Sequence, residues 1–284
     1  MEIKKFEHVV KTEKSAFRFW KKRCRKNTHI FCTRCGRRNP YHLGSGRYRC
    51  SCCKSDFGEF TNRWISGARI TPKQWLWLLK LFTLELSTNR IAKELGLSYP
   101  TSLRATHIIR KCIAIYHKDP LMNGTVELDE SYFGGKRKGK RGRGAAGKIP
   151  VFGILERGGK VSVQEVPDVK ATTLINSTLR KVRRGSIVYT DKYKSYDSLM
   201  FCGYKHLKVN HSKTFVRGKV HINGLEGFWA YAKERLIKHH GVSPGKFPLY
   251  LKELQFRYNE RENDIFLVLA KYLVKPIKSV AFHL

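Results

Sequence analysis

Two pairs of cysteines constrain the fold of the N-terminal part of the chain more than any other feature. Each pair has the CxxC spacing, and the fourteen residues 36–49 separate them. The four residues are Cys32, Cys35, Cys50 and Cys53. Each pair can wrap a tight turn around a metal ion, and four thiolates at this spacing are typical ligands of one structural Zn²⁺. We therefore predict a zinc ribbon over residues 31–62, with Cys52 pointing away from the ion.

The charge balance indicates the kind of partner. The chain contains 57 Lys and Arg residues against 22 Asp and Glu, a net charge of +35, and the excess is spread over its whole length. Each Lys or Arg that contacts a phosphate releases counterions, so a protein this basic is expected to bind a polyanion, usually nucleic acid. A ribosomal-type structural protein is the alternative.

The sequence disfavours a membrane partner. The longest apolar run, WLWLLKLF at 75–82, is too short to span a bilayer and contains Lys80. The N-terminal stretch MEIKKFEHVVKTEK is charged throughout and lacks the apolar core of a signal peptide. We therefore expect a cytoplasmic, nucleoid-associated protein, in which the eight cysteines indicate metal binding before disulfides.

Helical patterns lie on both sides of the predicted ribbon. Residues 1–30 are interpreted as a basic helical lead-in, and residues 63–118 as a helix-turn-helix DNA-binding segment. Ser87 can cap a helix that ends at the turn residue Gly96, and Ser98 can cap the next helix. This arrangement is typical of proteins whose second helix enters the major groove of DNA. Two helices packed only for stability are the alternative.

Residues 119–284 show alternating strand and helix patterns. Short β-branched runs predict strands, and longer amphipathic runs predict helices. The expected order is three strands, helix, strand, helix, strand, helix, at 125–133, 151–157, 160–166, 171–182, 186–191, 194–200, 204–210 and 221–236. This order predicts an α/β fold with a mixed sheet flanked by helices.

One segment of this region is biased in composition. Residues 134–148, GGKRKGKRGRGAAGK, are rich in glycine and basic residues and contain no acids. Because the segment is too polar to pack, we interpret it as a loop that contacts DNA phosphates, and a solubilising linker is the alternative. The residues expected to contact DNA are Lys136, Arg137, Lys138, Lys140, Arg141 and Arg143.

Acidic residues are scarce, so their positions are informative. Asp129 closes the first predicted strand, in VELDESYF, and Asp191 closes a later one, in IVYTDKYK. If these strands are neighbours, both carboxylates point into one crevice, and Glu226 on the last helix can supply a third. Such a group needs cations, and two Mg²⁺ or Mn²⁺ ions about 3.5–4 Å apart suit phosphoryl transfer. Taken singly, each acid could instead cap a turn or form an ion pair.

Several runs resemble the ISXO-like zinc-ribbon DDE insertion-sequence transposases. The resemblance covers nearly the whole chain and rests on the CxxC pairs, LDESYFGGKRKGKRGRG, YTDKYKSY, HINGLEGFWAYAKERL and YLKELQFRYNER. It implies an RNase H-like catalytic core, within residues 119–284 here. It also carries the three catalytic acids onto Asp129, Asp191 and Glu226, and a trailing basic residue onto Lys233.

The resemblance leaves two candidates for the third catalytic residue. Many relatives use an Asn in the HxNG run, which is Asn223 here. Asn223 lies three residues before Glu226 and Lys233 lies seven after it, so all three share one helical face. We favour Glu226, because this spacing places Lys233 beside it to hold DNA, and Asn223 becomes an assisting neighbour.

The predicted function is transposition. The expected partners are double-stranded DNA, both the terminal inverted repeats of the element and the target, and further copies of the chain in a homodimer or larger assembly. The expected cofactors are two catalytic Mg²⁺ or Mn²⁺ ions and one structural Zn²⁺. The alternatives are a non-catalytic zinc-ribbon regulator, an inactive transposase remnant, or another class of nuclease. Rep-type nucleases are disfavoured because the required His-apolar-His pair with a nearby Tyr is not found.

Overall fold

The chain folds into two compact units. The first comprises Met1–His117 with Glu260–Leu284, and the second comprises Lys118–Asn259. The computed structural model describes residues 1–25, 29–134, 148–191, 194–208 and 223–277.

The described residues form nine α-helices and eight strands. In chain order these are α1 (Ile3–Val10), α2 (Glu13–Cys24), β1 (Tyr41–His42), β2 (Tyr48–Arg49), β3 (Asp56–Phe57), α3 (Pro72–Thr83), α4 (Thr88–Leu95), α5 (Tyr99–Tyr116), β4 (Thr125–Phe133), β5 (Ile149–Glu156), β6 (Val161–Glu165), α6 (Ala171–Lys181), β7 (Ile187–Thr190), β8 (Lys205–Lys208), α7 (Asn223–Ile237), α8 (Phe247–Asn259) and α9 (Ile265–Leu273). Short 3-10 helices occupy Trp64–Gly67, Lys194–Cys202 and Pro244–Lys246. No helix in this part of the chain has both the length and the apolar composition needed to cross a membrane.

In the first unit, the helix boundaries follow the capping residues of the sequence. The Ser87 hydroxyl accepts a hydrogen bond from the backbone N–H of Arg90 and starts α4. Gly96 ends α4 in the left-handed conformation, with φ 61°, which glycine adopts without strain. Ser98 then caps α5. The predicted helix, turn and helix are confirmed, while their contact with DNA stays a prediction.

The last helix, α9, corrects the predicted extent of the catalytic domain. The sequence was interpreted as one domain from 119 to 284, but residues from Glu260 onward belong to the first unit. The reason is an apolar stripe on α9 that buries Phe266 and Leu269. The helix packs against α3 and α5, and the Phe266 ring lies beside Phe6 of α1 and Phe19 of α2. Helical periodicity marks such a stripe but does not tell which element covers it.

The second unit contains a mixed five-stranded sheet in the order β6-β5-β4-β7-β8. β4, β5 and β6 are antiparallel neighbours, whereas β7 and β8 run parallel to β4. Numbered along this unit, the strand order is 3-2-1-4-5, with helices on both faces. This confirms the predicted α/β class and the RNase H-like arrangement. The predicted helix at 194–200 is a 3-10 helix, Lys194–Cys202.

The central strand β4 separates two hydrophobic cores. Val126 and Leu128 point to one face, where they pack with residues of α6 and of the 3-10 helix Lys194–Cys202. Phe133 points to the opposite face, where the buried side chains of α7 and α8 cover the sheet. Because side chains alternate along a strand, Glu127 and Asp129 share the face that α7 covers.

The sequence suggested that Asp129 closes its strand. In the structure Asp129 lies in the middle of β4. The antiparallel pairing with β5 continues to Phe133↔Ile149, whereas the parallel pairing with β7 stops at Glu127↔Tyr189. Asp129 therefore lies inside the β4–β5 ladder and beyond the end of the β4–β7 ladder. Asp191 directly follows β7, as predicted.

A glycine on β5 permits the close approach of α7. Gly153 pairs with Asp129, so its Cα–Cβ direction points to the α7 face. A Cβ there would lie 2.5 Å from the Trp229 ring and 2.8 Å from Leu225. These distances are shorter than van der Waals contact, so any side chain at position 153 would push the helix away from the sheet.

We predict that Gly153→Ala destabilises the second unit by about 1–3 kcal/mol, because the added methyl overpacks the interface between α7 and β5. Thermal unfolding monitored by circular dichroism would measure the change. Gly227→Ala on α7 is the control. A Cβ at that position meets none of the described atoms within 4 Å, and alanine favours helix. A Gly153→Ala variant as stable as the wild type would contradict this packing.

Candidate active site and metal centre

Adjacent strands carry the first two predicted acids. In the parallel pair β4–β7, Glu127 lies opposite Tyr189. β7 ends at Thr190, so Asp191 lies one residue beyond it, on the strand next to the one that carries Asp129. The charge of Asp191 contributes to the raised pKa of Asp129. The structure therefore brings the first two predicted acids within electrostatic range of each other.

Helix α7 contacts the first of these acids directly. The indole Nε1 of Trp229 donates a hydrogen bond of 3.0 Å to Asp129 Oδ2. Trp229 is 5% exposed and lies three residues, slightly less than one turn, after Glu226. The sequence analysis did not assign this role to Trp229. Its position one turn from a candidate catalytic acid was the available signal.

A second carboxylate, Glu127, is buried beneath the same helix. Glu127 is 1% exposed and accepts hydrogen bonds from the backbone N–H of Leu225, at 3.0 Å, and from Arg157 Nε, at 2.9 Å. It thus satisfies an N–H in the first turn of α7, where helices leave such groups without an internal partner. The sequence analysis missed Glu127. Its place two residues before Asp129, on the same strand face, could have identified it.

The other predicted residues of α7 lie on an exposed stripe. Asn223, Glu226 and Lys233 are all exposed, and Lys233 Nζ lies 6.0 Å from the centroid of the Phe133 ring at the end of β4. The carboxylates of Asp129, Asp191 and Glu226 do not all come within 4.8 Å of one another. The six predicted DNA-contacting residues of the basic loop fall in 135–147, outside the described residues.

The environment of Asp129 opposes its ionisation. Burial is the largest cause, and the charges of Glu130 and Asp191 add to it, so that the pKa of Asp129 is raised to about 7. Hydrogen bonds from the backbone of Glu130 and from Trp229 act in the opposite direction but are weaker. Glu130 itself lies on the other face of β4, where the Tyr196 hydroxyl donates to it at 2.6 Å. A cation beside Asp129 would favour its charged form.

We predict that, in buffer without added divalent ions, Asp129 lowers the stability of the folded protein by an amount that grows with pH. An acid with a raised pKa holds its proton longer in the folded state, so stability falls as pH rises from about 4 to about 7. Asp129→Asn removes this dependence and should be more stable than the wild type at pH 8, by roughly 1–4 kcal/mol, since one pKa unit is about 1.4 kcal/mol. Calorimetry at pH 5 and pH 8 measures both proteins. Equal pH slopes would rule out the raised pKa.

In the first unit, the four predicted cysteines come together. Their sulfur atoms all lie within 4.8 Å of one another, with Cys32 Sγ 3.6 Å from Cys53 Sγ and Cys35 Sγ 3.5 Å from Cys50 Sγ. Four sulfurs bound tetrahedrally at about 2.3 Å from one ion would lie about 3.8 Å apart, so the cluster can hold a metal. Cys52 is exposed and outside the cluster, as predicted.

The strands of the ribbon bring the two cysteine pairs together. β2 pairs with β1 and β3 in a small antiparallel sheet, and Tyr48 and Phe57 pack beside Cys32 and Cys50. Burial opposes ionisation of the Cys32 thiol, but hydrogen bonds from the Cys35 backbone and other donors outweigh it and lower its pKa to about 6. A thiol with a lowered pKa supplies the thiolate that binds metal.

The strand order 3-2-1-4-5, with helices on both faces, defines an RNase H-like fold. Residues 121–259 match the ISXO2-like transposase domain. A Haemophilus influenzae protein described as transposase-like is 40% identical over 116 residues, which cover 41% of this chain and 94% of that protein. The chain belongs to the ISXO2-like transposase family.

Solved structures with a similar fold belong to proteins of the same class. The catalytic core domain of BIV integrase has 12% sequence identity and a TM-score of 0.36, covering 49% of this chain and 86% of that chain. The Mos1 transposase in its paired-end complex with the left transposon end has 12% identity and a TM-score of 0.25, covering 69% and 78%. At such low TM-scores, the fold follows from the strand order and not from these likenesses.

Proposed function

We propose that this transposase cleaves DNA at the ends of its own insertion element and joins the released ends to target DNA. The observation that supports the proposal is the parallel pairing of β4, which carries Asp129, with β7, which Asp191 directly follows, together with the hydrogen bond from Trp229 of α7 to Asp129. Water attacks the phosphodiester at an element end and releases a 3′-hydroxyl, which then attacks a phosphodiester of the target. A covalent protein–DNA intermediate is not required.

The donor set suits hard divalent cations. Asp129, Asp191 and Glu226 offer carboxylate oxygens, the ligands that Mg²⁺ and Mn²⁺ prefer, and the raised pKa of Asp129 indicates a place where positive charge is favourable. Two such ions would supply Lewis acidity toward the attacking and leaving oxygens. Trp229 orients the Asp129 carboxylate, and the exposed Lys233 holds a DNA phosphate beside it.

DNA is the proposed partner of both units. The net charge of +35 favours binding to phosphates along a long surface. The ribbon, the α4–α5 pair and the basic loop recognise or grip the terminal repeats and the target. Because two element ends must be cut and joined together, the active form is a dimer or larger assembly.

The catalytic assignment is tested with acid-to-amide variants. Asp129→Asn, Asp191→Asn and Glu226→Gln should each reduce nicking of a labelled element-end duplex by 1,000-fold or more, roughly the loss seen when a transition-state interaction of about 4 kcal/mol is removed. Each should bind the duplex nearly as well as the wild type, since binding rests on basic residues elsewhere. Nicking and binding are measured in parallel with Mg²⁺ or Mn²⁺.

Matched variants of α7 give the experiment its controls. Glu234→Gln removes a charge from the same helix, at an exposed position, and should nick like the wild type. Asn223→Ala should keep measurable nicking if Glu226 is the third acid. An inert Asn223→Ala together with an active Glu226→Gln would transfer that role to Asn223. Tight binding without nicking in any divalent ion would favour the non-catalytic regulator.

We infer that the four-cysteine cluster holds one structural Zn²⁺, because four thiolates in a tetrahedral arrangement are its typical ligands. Purified protein should contain about one equivalent of zinc by elemental analysis. Cys35→Ser should lose the zinc and the fold of the ribbon, because so small a core does not fold without its metal. Cys52→Ser, which changes the neighbouring exposed thiol, should keep both. Zinc retained in Cys35→Ser would refute the assignment.

A further inference from the structure

A buried ionic cluster joins the elements that carry the proposed catalytic residues. Arg157, at the β5–β6 turn, donates to Glu127 on β4, and its guanidinium carbon lies 4.1 Å from the centroid of the Tyr189 ring on β7. Glu127 in turn accepts the backbone N–H of Leu225 on α7. We call these four residues the Glu127 cluster. It connects two strands and one helix through groups that are largely hidden from solvent.

Three of the four members of this cluster are close in sequence to a proposed catalytic residue. Glu127 precedes Asp129 by two residues and shares its face of β4, and Tyr189 on β7 precedes Asp191 by two. Leu225 is the residue immediately before Glu226. A shift of the cluster would therefore move all three acids, although no cluster side chain is itself one of them.

The local sequence is adapted to this contact. Gly224 begins the first turn of α7, and a Cβ there would lie 2.9 Å from Glu127 Oε2. The missing side chain lets the carboxylate reach the helix backbone. A carboxylate beside the first turn also complements the positive end of the helix dipole. Arg157 adds a full positive charge beside the buried carboxylate, in an ion pair of 2.9 Å.

We propose that Glu127 is a positioning residue for the transposition chemistry. By holding the first turn of α7 against β4 and β7, it fixes the direction from which Glu226 faces Asp129 and Asp191. Glu127 itself contacts neither the reacting DNA nor the ions. This inference rests on the proposed function, in which those three acids hold the catalytic cations.

Glu127→Gln tests the inference with little change in shape. Leu225 and Arg157 donate to different oxygens of the Glu127 carboxylate. Glutamine replaces one of these oxygens with an NH₂ group, which only donates, so one of the two donors loses its acceptor at that position. Hydrogen exchange of peptides covering residues 223–229 should become about tenfold faster or more, because a charge-assisted hydrogen bond is lost. The Mn²⁺ concentration that gives half-maximal nicking should rise by about 10- to 100-fold, the usual effect of losing an outer-shell partner.

Two further variants separate positioning from general destabilisation. Leu174→Ala opens a cavity in the core on the opposite face of the sheet. Compared at equal distance below its unfolding temperature, it should leave exchange at 223–229 and the Mn²⁺ dependence unchanged. If Glu127→Gln does not fold, Arg157→Lys is measured instead. It keeps the charge but loses the planar stacking on Tyr189, and it should change both readouts in the same direction.

The outcomes distinguish the two proposals. Wild-type exchange and wild-type Mn²⁺ dependence in Glu127→Gln, with Asp129→Asn inactive, would overturn the positioning role and leave the proposed function standing. Faster exchange in Glu127→Gln, with a wild type that never nicks, would support the anchoring of α7 and overturn the proposed function. Faster exchange combined with the higher Mn²⁺ requirement supports both.

Discussion

The parallel pairing of β4 with β7 is the constraint on which the candidate site depends. β4 is bonded on its other side to β5 along its whole length, so its position in the sheet is fixed from both edges. A slip of one residue between β4 and β7 would turn the side chains of one strand to the opposite face. In the proposed site, Asp129 and Asp191 can act together only if this pairing is kept. The hydrophobic residues on the other face, such as Leu128 and Val188, hold that register because a slip would remove them from the core in which they pack.

The site also contains buried acids, and burial makes the charged form of a carboxylate unfavourable. The surroundings of Glu127 and Asp129 compensate this cost to different degrees. Glu127 meets a cation and a helix N–H, so its charge is compensated within the fold. Asp129, two residues later, meets only the neutral donors Trp229 and the Glu130 backbone, which do not offset its burial and the charges of Glu130 and Asp191, so its pKa is raised to about 7. The Glu127 carboxylate has its charged partner within the chain. A cation from outside the chain would stabilise the ionised form of Asp129, as it does for a metal ligand.

The sequence predicted the elements of the fold better than the contacts between them. β-branched runs located the strands, and Ser87, Gly96 and Ser98 located the helix ends, because these signals act within a few residues. The pairing of β4 with β5 on one side and with β7 on the other is a contact that no local signal reports. The packing of α9 in the first unit is likewise a tertiary choice.

The candidate site was predictable to the same degree. Scarcity of acids drew attention to Asp129 and Asp191, and the strand order confirmed that their strands are neighbours. The sequence did not predict the roles of Glu127 and Trp229, because these roles depend on which face of α7 packs on the sheet. That face is set by Gly153, whose missing side chain admits the Trp229 ring. Glycine is needed at this position because a side chain would occupy the space of α7, and not because the backbone adopts an unusual conformation.

The two proposed metal-binding groups differ in how they depend on the rest of the chain. The four cysteines lie within one short segment, and Cys32 and Cys50 are themselves two of the four residues that form its buried core. With the proposed Zn²⁺, the ribbon and its ion would therefore form together or not at all. The acids come from separate elements, and the bond between Asp129 and Trp229 alone spans 100 residues. The sheet has two extensive cores of its own, so it can fold before any cation is bound. Loss of metal should thus unfold the ribbon but leave the sheet folded and only its chemistry impaired.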